Sequence, residues 1–127
     1  MVNVKKVLLF NVGLMKEGQI YNVCKNLNII PVRVKVEQYS ECLGYLAGIK
    51  GIKSNGKVYK GMAFPKEMLV FSGINSEELD IFLQKYNDAG IEKINLKAVL
   101  TPFNINWTGE MLYKELLKEH SEMAEKI

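Results

Sequence analysis

Two short apolar runs mark corresponding places in the two halves of the chain. They read VLLF at residues 7–10 and MLVF at residues 68–71, and turn residues or charged residues flank each of them. Continuous apolar runs of this length are typical of strands that are buried on both faces of a sheet. We therefore predict that these two segments form the central strands of one sheet.

Each run is followed by a helical pattern and then by an alternating pattern. The helical positions recur at spacings of three and four residues, which places them on one face of a helix. The alternating positions recur every second residue, as in a strand with one buried face. The helical sets are Ile20, Val23, Cys24 and Leu27 and then Leu79, Phe82, Leu83 and Tyr86; the alternating sets are Ile30, Val32, Val34 and Val36 and then Ile94, Leu96, Ala98 and Leu100.

The same three elements in the same order indicate a duplicated β-α-β unit, with repeats at residues 4–37 and 68–100. We predict one α/β domain over residues 1–127, an α+β sandwich with a ferredoxin-like four-stranded sheet and both main helices on one face. A small doubly wound parallel sheet is the alternative. In the ferredoxin-like arrangement the apolar central strands require a cover on the second sheet face as well.

Three segments lie outside the repeat. The pattern at residues 40–49 predicts a short helix, and residues 48–66 form a connecting arm. A C-terminal helix is expected over residues 108–125, with Thr108 as its N-cap. Either this helix or the short helix at residues 40–49 could provide the second cover. The apolar stripe of the C-terminal helix consists of Leu112, Tyr113, Leu116, Leu117, His120, Met123 and Ile127.

Charge is distributed unequally between the halves. Residues 1–66 hold eleven basic and three acidic residues, whereas residues 67–127 hold six basic and eleven acidic residues. A basic surface can attract nucleic acid, but sixteen of the seventeen cations are lysine. Specific nucleic-acid recognition usually relies on the arginine fork. The composition therefore argues against nucleic acid as a partner, and no apolar run is long enough for a membrane helix. We expect a cytoplasmic protein.

The connecting arm is the first candidate site. Its first part, residues 48–61, carries four lysines and no acid, and the Asn55-Gly56 pair there is a signal for a two-residue hairpin. One interpretation is a mobile cationic arm that binds an anion, and the other is a solvated surface hairpin. The candidate anion-binding residues are Lys50, Lys53, Lys57 and Lys60.

The second candidate site is the corner between the last strand and the C-terminal helix. Lys97 lies on the strand, and burial would lower its pKa, as a nucleophile or base requires. The polar turn residues can also bond the turn backbone by themselves, and the tryptophan can pack the strand against the helix. The candidate ligand-binding residues are Lys97, Thr101, Asn104, Asn106, Trp107 and His120.

Other chemistry has little support in the sequence. Cys24 and Cys42 are too far apart for a CxxC motif, and His120 is the only histidine. No zinc ligand set, cofactor motif or paired carboxylates can be recognised, so we assign no metal, no cofactor and no catalytic residue. His120 lies on an apolar stripe, where a partly buried structural histidine is expected.

The second half resembles a family of small bacterial proteins known as a domain of unknown function. The pattern LKAVLTPxNxxW spans Leu96 to Trp107. It is followed by a helix that ends in the pattern ELxxEH, and this second pattern spans Glu115 to His120. The segment LGYLAG, residues 43–48, is also similar. The resemblance implies relatives but no activity, ligand or catalytic residue.

These observations favour a non-enzymatic module that binds a small molecule or a protein partner. Its layout is similar to that of nitrogen-regulatory signalling proteins, a topological analogy that implies a homo-oligomer. The alternatives are an enzyme with a site at the Lys97, Asn104, Trp107 and His120 corner, and a nucleic-acid accessory factor that uses the basic half.

Overall fold

The computed structural model describes the backbone of residues 4–125 and the side chains of residues 4–121. Met123 and Ile127, at the end of the predicted stripe, lie outside the side chains described. The elements in chain order are β1 (Lys6–Phe10), α1 (Leu14–Leu27), β2 (Ile30–Val34), α2 (Leu43–Leu46), β3 (Met68–Ser72), α3 (Ser76–Asp88), β4 (Leu96–Val99) and α4 (Gly109–Glu125), with a 3-10 turn at Val36–Gln38 before α2.

The four strands form one mixed sheet in the order β2-β1-β3-β4. β1 pairs with β2 in parallel and β3 with β4 in parallel, whereas the central strands β1 and β3 are antiparallel. The predicted α+β class and the central position of β1 and β3 are confirmed. A fully parallel sheet, the alternative, is wrong.

The ferredoxin-like strand order is not reproduced at the sheet edges. In that fold a strand from the other half separates the two strands of each β-α-β unit. Here β2 lies directly beside β1, and β4 lies directly beside β3. Each half is therefore an unsplit parallel unit, and the two units meet along the antiparallel pair of central strands.

One face of the sheet is covered by α1 and α3, and we call it the α1/α3 face. Val7 and Leu9 of β1 lie beside Phe71 and Leu69 of β3 in the strand register, and all four are buried. Both helices turn their predicted apolar stripes onto this layer. Their buried members are Ile20, Val23, Cys24, Phe82 and Tyr86.

The other face is covered by α2, α4 and the connecting arm, and we call it the arm face. Leu8 and Phe10 point into it from β1. Phe64, near the end of the arm, is buried and stacks on Tyr113 of α4 and on Tyr39, at 4.0 Å between ring centroids in each pair. The arm thus contributes an aromatic residue to the core.

Local signals explain the limits of α3. The Asn75 side chain accepts a hydrogen bond from Glu78 N at 2.8 Å, and the Glu78 carboxylate accepts one from Asn75 N at 3.0 Å. This capping box satisfies two backbone donors at the start of the helix. Past the helix, Gly90 adopts a φ of 69°, which glycine tolerates at no steric cost. Within residues 4–125 no helix has the length and apolarity to cross a membrane.

Candidate functional site

The corner after β4 is folded by the side chain of Asn104. Its Oδ1 accepts a hydrogen bond from Thr101 N at 2.9 Å, and its Nδ2 donates one to Val99 O at 3.1 Å. The Thr101 hydroxyl accepts hydrogen bonds from the backbone N–H groups of Phe103 and Asn104. Asn104 is buried, with 9% exposure. Its amide is therefore committed to the turn on both sides.

The neighbouring corner residues connect the turn to α2. Trp107 is partly buried against the cluster on the arm face. Its carbonyl oxygen accepts a hydrogen bond from Leu43 N at 2.8 Å, and Ile105 O accepts one from Gly44 N at 2.9 Å. Asn106 is exposed. The polar corner thus serves as a joint between β4, α2 and the start of α4.

His120 does not take the position expected for it. Its side chain is exposed, whereas the sequence predicted a partly buried histidine. It lines a shallow surface depression at the beginning of β4, together with Asn95, Leu96, Lys97, Leu116 and Glu119. The reason is that α4 has passed the covered part of the sheet by this turn, because its buried residues, Leu112 and Tyr113, lie two turns earlier.

Lys97 points to the α1/α3 face, away from most of the corner residues. It lies opposite Leu69 in the strand register and lines a cavity of about 240 Å³ between α3 and β4. Its ammonium donates a hydrogen bond to Ile94 O at 2.7 Å. Burial lowers the pKa of Lys97 below its ordinary value, and the nearby Lys93 lowers it further. No carboxylate within the described residues forms an ion pair with it.

The cavity has an apolar interior and a cationic rim. Lys93 and Lys97 are the charged residues of its lining, and Asn87 is a further polar one. The apolar part comes from the inner side of α3, from β3 and from the loop before β4. These lining residues are Leu69, Phe82, Leu83, Tyr86 and Ile94.

The loop that carries Lys93 is held in place by Tyr86. The Tyr86 hydroxyl donates a hydrogen bond to the carbonyl oxygen of Glu92. Burial raises the pKa of Tyr86 to about 12, and the carboxylates of Glu67 and Glu92 raise it as well. The hydroxyl therefore stays a neutral donor at physiological pH. Ile91 and Ile94 are buried on either side of Lys93, which directs the lysine outward.

Sequence reasoning missed the residues that surround Lys97. It grouped Lys97 with residues that follow it in the chain, whereas the lining of the cavity comes mainly from the segment that precedes it, residues 82–94. A signal existed in the pair Ile91 and Ile94, which lies just before the strand with a lysine between its members. Two apolar anchors in a short loop indicate a loop that folds back onto the core.

The connecting arm is folded, and its predicted hairpin is absent. No paired strands occur between residues 48 and 66, a segment that the structure describes in full. The arm is instead held through the buried Glu41 carboxylate, which accepts hydrogen bonds from the Ser54 hydroxyl and from Asn55 N. The hairpin prediction failed because side-chain bonds to Glu41 replace the ladder between strands. All four candidate lysines, Lys50, Lys53, Lys57 and Lys60, are exposed.

Metal-binding groups are not assembled in the part of the chain that the structure describes. No cluster of three histidine, cysteine or acidic side chains occurs there. Cys24 is buried on the inner side of α1, and Cys42 is only partly buried at the start of α2. Both are free thiols.

The similarity to known proteins that is found lies in the second half of the chain. Among curated proteins none matches the chain, and among solved structures none matches either. A family model does match, and it covers β3, α3, β4 and most of α4, which includes Lys97 and the corner after it. Residues 67–123 match the domain of unknown function DUF3783, so the family resemblance found in the sequence is confirmed.

Proposed function

We propose that the protein is a non-enzymatic cytoplasmic module that binds a small organic anion in the cavity between α3 and β4. The observation that carries this proposal is the environment of the Lys97 ammonium. Its ammonium is partly desolvated at the rim of an apolar cavity, and no carboxylate within the described residues pairs with it. A cation in such a place favours an anionic partner, because the partner would restore the interactions lost on burial.

The hydrogen-bonding capacity of Lys97 supports an acceptor ligand. An ammonium carries three donors, and one of them is used by Ile94 O. The other two can bind a carboxylate oxygen, and the second lysine, Lys93, lies on the same rim. Two cations on one rim match a single carboxylate or a similar oxyanion.

The dimensions of the cavity restrict the rest of the ligand. Its volume of about 240 Å³ lies below the roughly 300–1,000 Å³ of pockets that hold drug-sized molecules. Phe82, Leu83 and Tyr86 provide an apolar interior. The ligand class that fits is a small carboxylate with an aliphatic or aromatic body.

An enzyme at the corner has weaker support. Asn104 is occupied by the turn backbone. His120 shares only a shallow surface depression with Lys97, and it does not line the cavity between α3 and β4. The residues that line the cavity include no histidine, cysteine or carboxylate that could serve as a base beside Lys97. Binding without turnover is therefore the function that the geometry supports best.

The test is a thermal-shift measurement with matched probes. Benzoate and hexanoate represent the proposed class, and benzamide and hexanamide keep the shape without the charge. A ligand at about ten times its Kd stabilises the folded state by about 1.4 kcal/mol, which raises the melting temperature by about 4–6 °C for a domain of this size. We expect the carboxylates to produce such a shift and the amides to produce much less.

Two variants assign the shift to the cavity. Lys97→Met keeps the apolar stem and removes the charge, and it should abolish the response to carboxylates. Lys85→Met removes an exposed lysine of α3 that lines a different groove, and it should leave the response unchanged. Equal shifts for carboxylates and amides, or a full response in Lys97→Met, would contradict the proposal.

The expected homo-oligomer and the alternative of a nucleic-acid factor stay predictions. Light scattering measures the mass in solution and tests the first. Retention on heparin at low salt, lost at moderate salt, would support binding of polyanions by the four candidate lysines of the arm. Retention unaffected by Lys53→Ala and Lys57→Ala together would speak against that use of the arm.

A further inference from the structure

The segment from Ser54 to Lys57 is folded around one buried carboxylate. Glu41, with 8% exposure, accepts hydrogen bonds from the Ser54 hydroxyl and, at 2.9 Å, from Asn55 N. The Asn55 side chain is bonded at both of its polar atoms. Nδ2 donates to Ser40 O at 2.8 Å, and Oδ1 accepts from Lys57 N at 2.9 Å.

Asparagine followed by glycine has a chemistry of its own. The backbone nitrogen of glycine can lose its proton and form a bond to Cγ of the asparagine, since no Cβ of the following residue obstructs the approach. The Cγ–Nδ2 bond then breaks, and the side-chain nitrogen leaves as ammonia. Water hydrolyses the resulting succinimide ring at either carbonyl, which leaves an aspartate or an isoaspartate. The reaction consumes one water, releases one ammonia and requires no oxidant or reductant.

Both reacting nitrogens are engaged in the folded arm. Gly56 N, which must lose its proton, donates a hydrogen bond to Ser54 Oγ at 3.1 Å. Asn55 Nδ2, which must leave, is bonded to Ser40 O. The folded segment therefore has to open before the ring can form.

We infer that Asn55 is a site of deamidation that the contacts to Glu41 protect, and that its conversion releases the segment Ser54–Lys57 from the body of the protein. The inference concerns the arm and does not depend on the anion site beside Lys97. The two halves of the statement, protection before the reaction and release after it, can be measured separately.

Release follows from the charge and the hydrogen-bonding capacity of the product. A carboxylate at position 55 has no donor for Ser40 O, so that bond is lost. It also stands next to the carboxylate of Glu41, and like charges at a partly buried site repel each other. Lys57 N can still donate to the new oxygen. The contacts that are lost or weakened are therefore those to Ser40 and Glu41, the two residues that connect the segment to the body of the protein.

The first experiment measures the rate of deamidation at Asn55 by peptide mapping of the full chain. The folded protein is compared with the same chain in urea. We expect the folded rate to be lower by about tenfold or more, because exchange through local opening slows tenfold for each 1.4 kcal/mol of local stability. Equal rates would overturn the protection.

A substitution in the exposed arm locates the protecting contacts. Ser54→Ala removes one bond to Glu41 and also the acceptor of Gly56 N, so it should raise the folded rate towards the rate in urea. Ser76→Ala, on an exposed serine at the start of α3, is the matched control and should leave the rate unchanged. A Ser54→Ala rate equal to that of the unmodified chain would contradict the role of these bonds.

The second experiment measures release. Asn55→Asp imitates one product, and hydrogen exchange of the segment from residue 50 to residue 60 is compared with that of the parent chain. We expect faster exchange there by about tenfold or more, with no change in β1 or β3. Asn22→Asp introduces the same charge on the exposed side of α1 and should leave the arm unchanged. Unchanged exchange in Asn55→Asp would overturn the release.

Discussion

The double hydrogen bond of Asn104 makes the corner after β4 a testable structural element. The substitution Asn104→Ala removes the acceptor of Thr101 N–H and the donor to Val99 O at once. Asn104→Asp is a finer change. It keeps an acceptor for Thr101 N–H but places a carboxylate oxygen against the Val99 carbonyl. We expect both variants to lower the free energy of unfolding.

The size of the loss in unfolding free energy depends on how well water can replace each hydrogen bond. A buried polar group left without a partner costs roughly 1–3 kcal/mol. Val99 is partly buried, so its carbonyl should bear most of that cost, whereas Thr101 is exposed and its N–H can bind water. For Asn104→Ala we expect a total loss of about 2–3 kcal/mol, of which the Val99 carbonyl accounts for the larger share.

Urea unfolding followed by circular dichroism measures this loss. A lower midpoint at an unchanged slope reports a change in stability alone. Asn106→Ala is the matched control, because Asn106 is exposed in the same turn; its effect should stay within about 0.5 kcal/mol. If Asn104→Ala also stays within about 0.5 kcal/mol, the amide does not hold the corner, and a ligand-binding role for Asn104 would regain support.

Three further predictions concern the α1/α3 face. Phe82→Ala should cost about 3–5 kcal/mol in the same assay, because Phe82 is fully buried against Phe71, whereas Ile81→Ala, at an exposed neighbour, should cost far less. Cys24 should resist thiol reagents in the folded state, because it is buried and burial raises the pKa of its thiol to about 12; Cys42 should react faster, since it is only partly buried. The free energy of unfolding should fall as the pH rises from 9.0 towards about 12, because the unfolded Cys24 thiol ionises there while the folded one keeps its proton, and a Cys24→Ala variant with an equally steep fall would contradict this.

The core of the fold could be predicted because buried positions are apolar and recur at a regular spacing in the sequence. A continuous apolar run such as Val7 to Phe10 has to contact something on both sides, and the structure covers both faces of β1. Helical spacing likewise predicted which side of α3 faces the sheet, since Phe82 and Tyr86 are its buried residues. Each of these patterns can be recognised within a single helix or strand, because it depends only on which side of that element is buried.

The positions of the edge strands could not be predicted in the same way. β2 has the same alternating pattern whether it lies beside β1 or beside β3, because either neighbour leaves the same side chains facing the helices. The connection was the signal that would have helped. A ferredoxin-like order places β2 beside β3, and a tight hairpin usually joins such antiparallel neighbours. Here the chain between them, residues 35–67, forms a 3-10 turn, α2 and the arm, and it covers a whole sheet face.

The candidate site shows the same limit at the level of single residues. Grouping by nearness in the chain placed Lys97 with Asn104 and Trp107, yet successive side chains of a strand point to opposite faces. Ala98 contacts the arm face, where Trp107 packs, and Lys97 therefore faces α3 and the loop that carries Lys93. In an unsplit β-α-β unit the helix and the loop before the second strand cover that strand. The partners of a polar residue on β4 accordingly come from the residues before it, and the anion site we propose combines Lys97 with them and leaves the corner to its structural role.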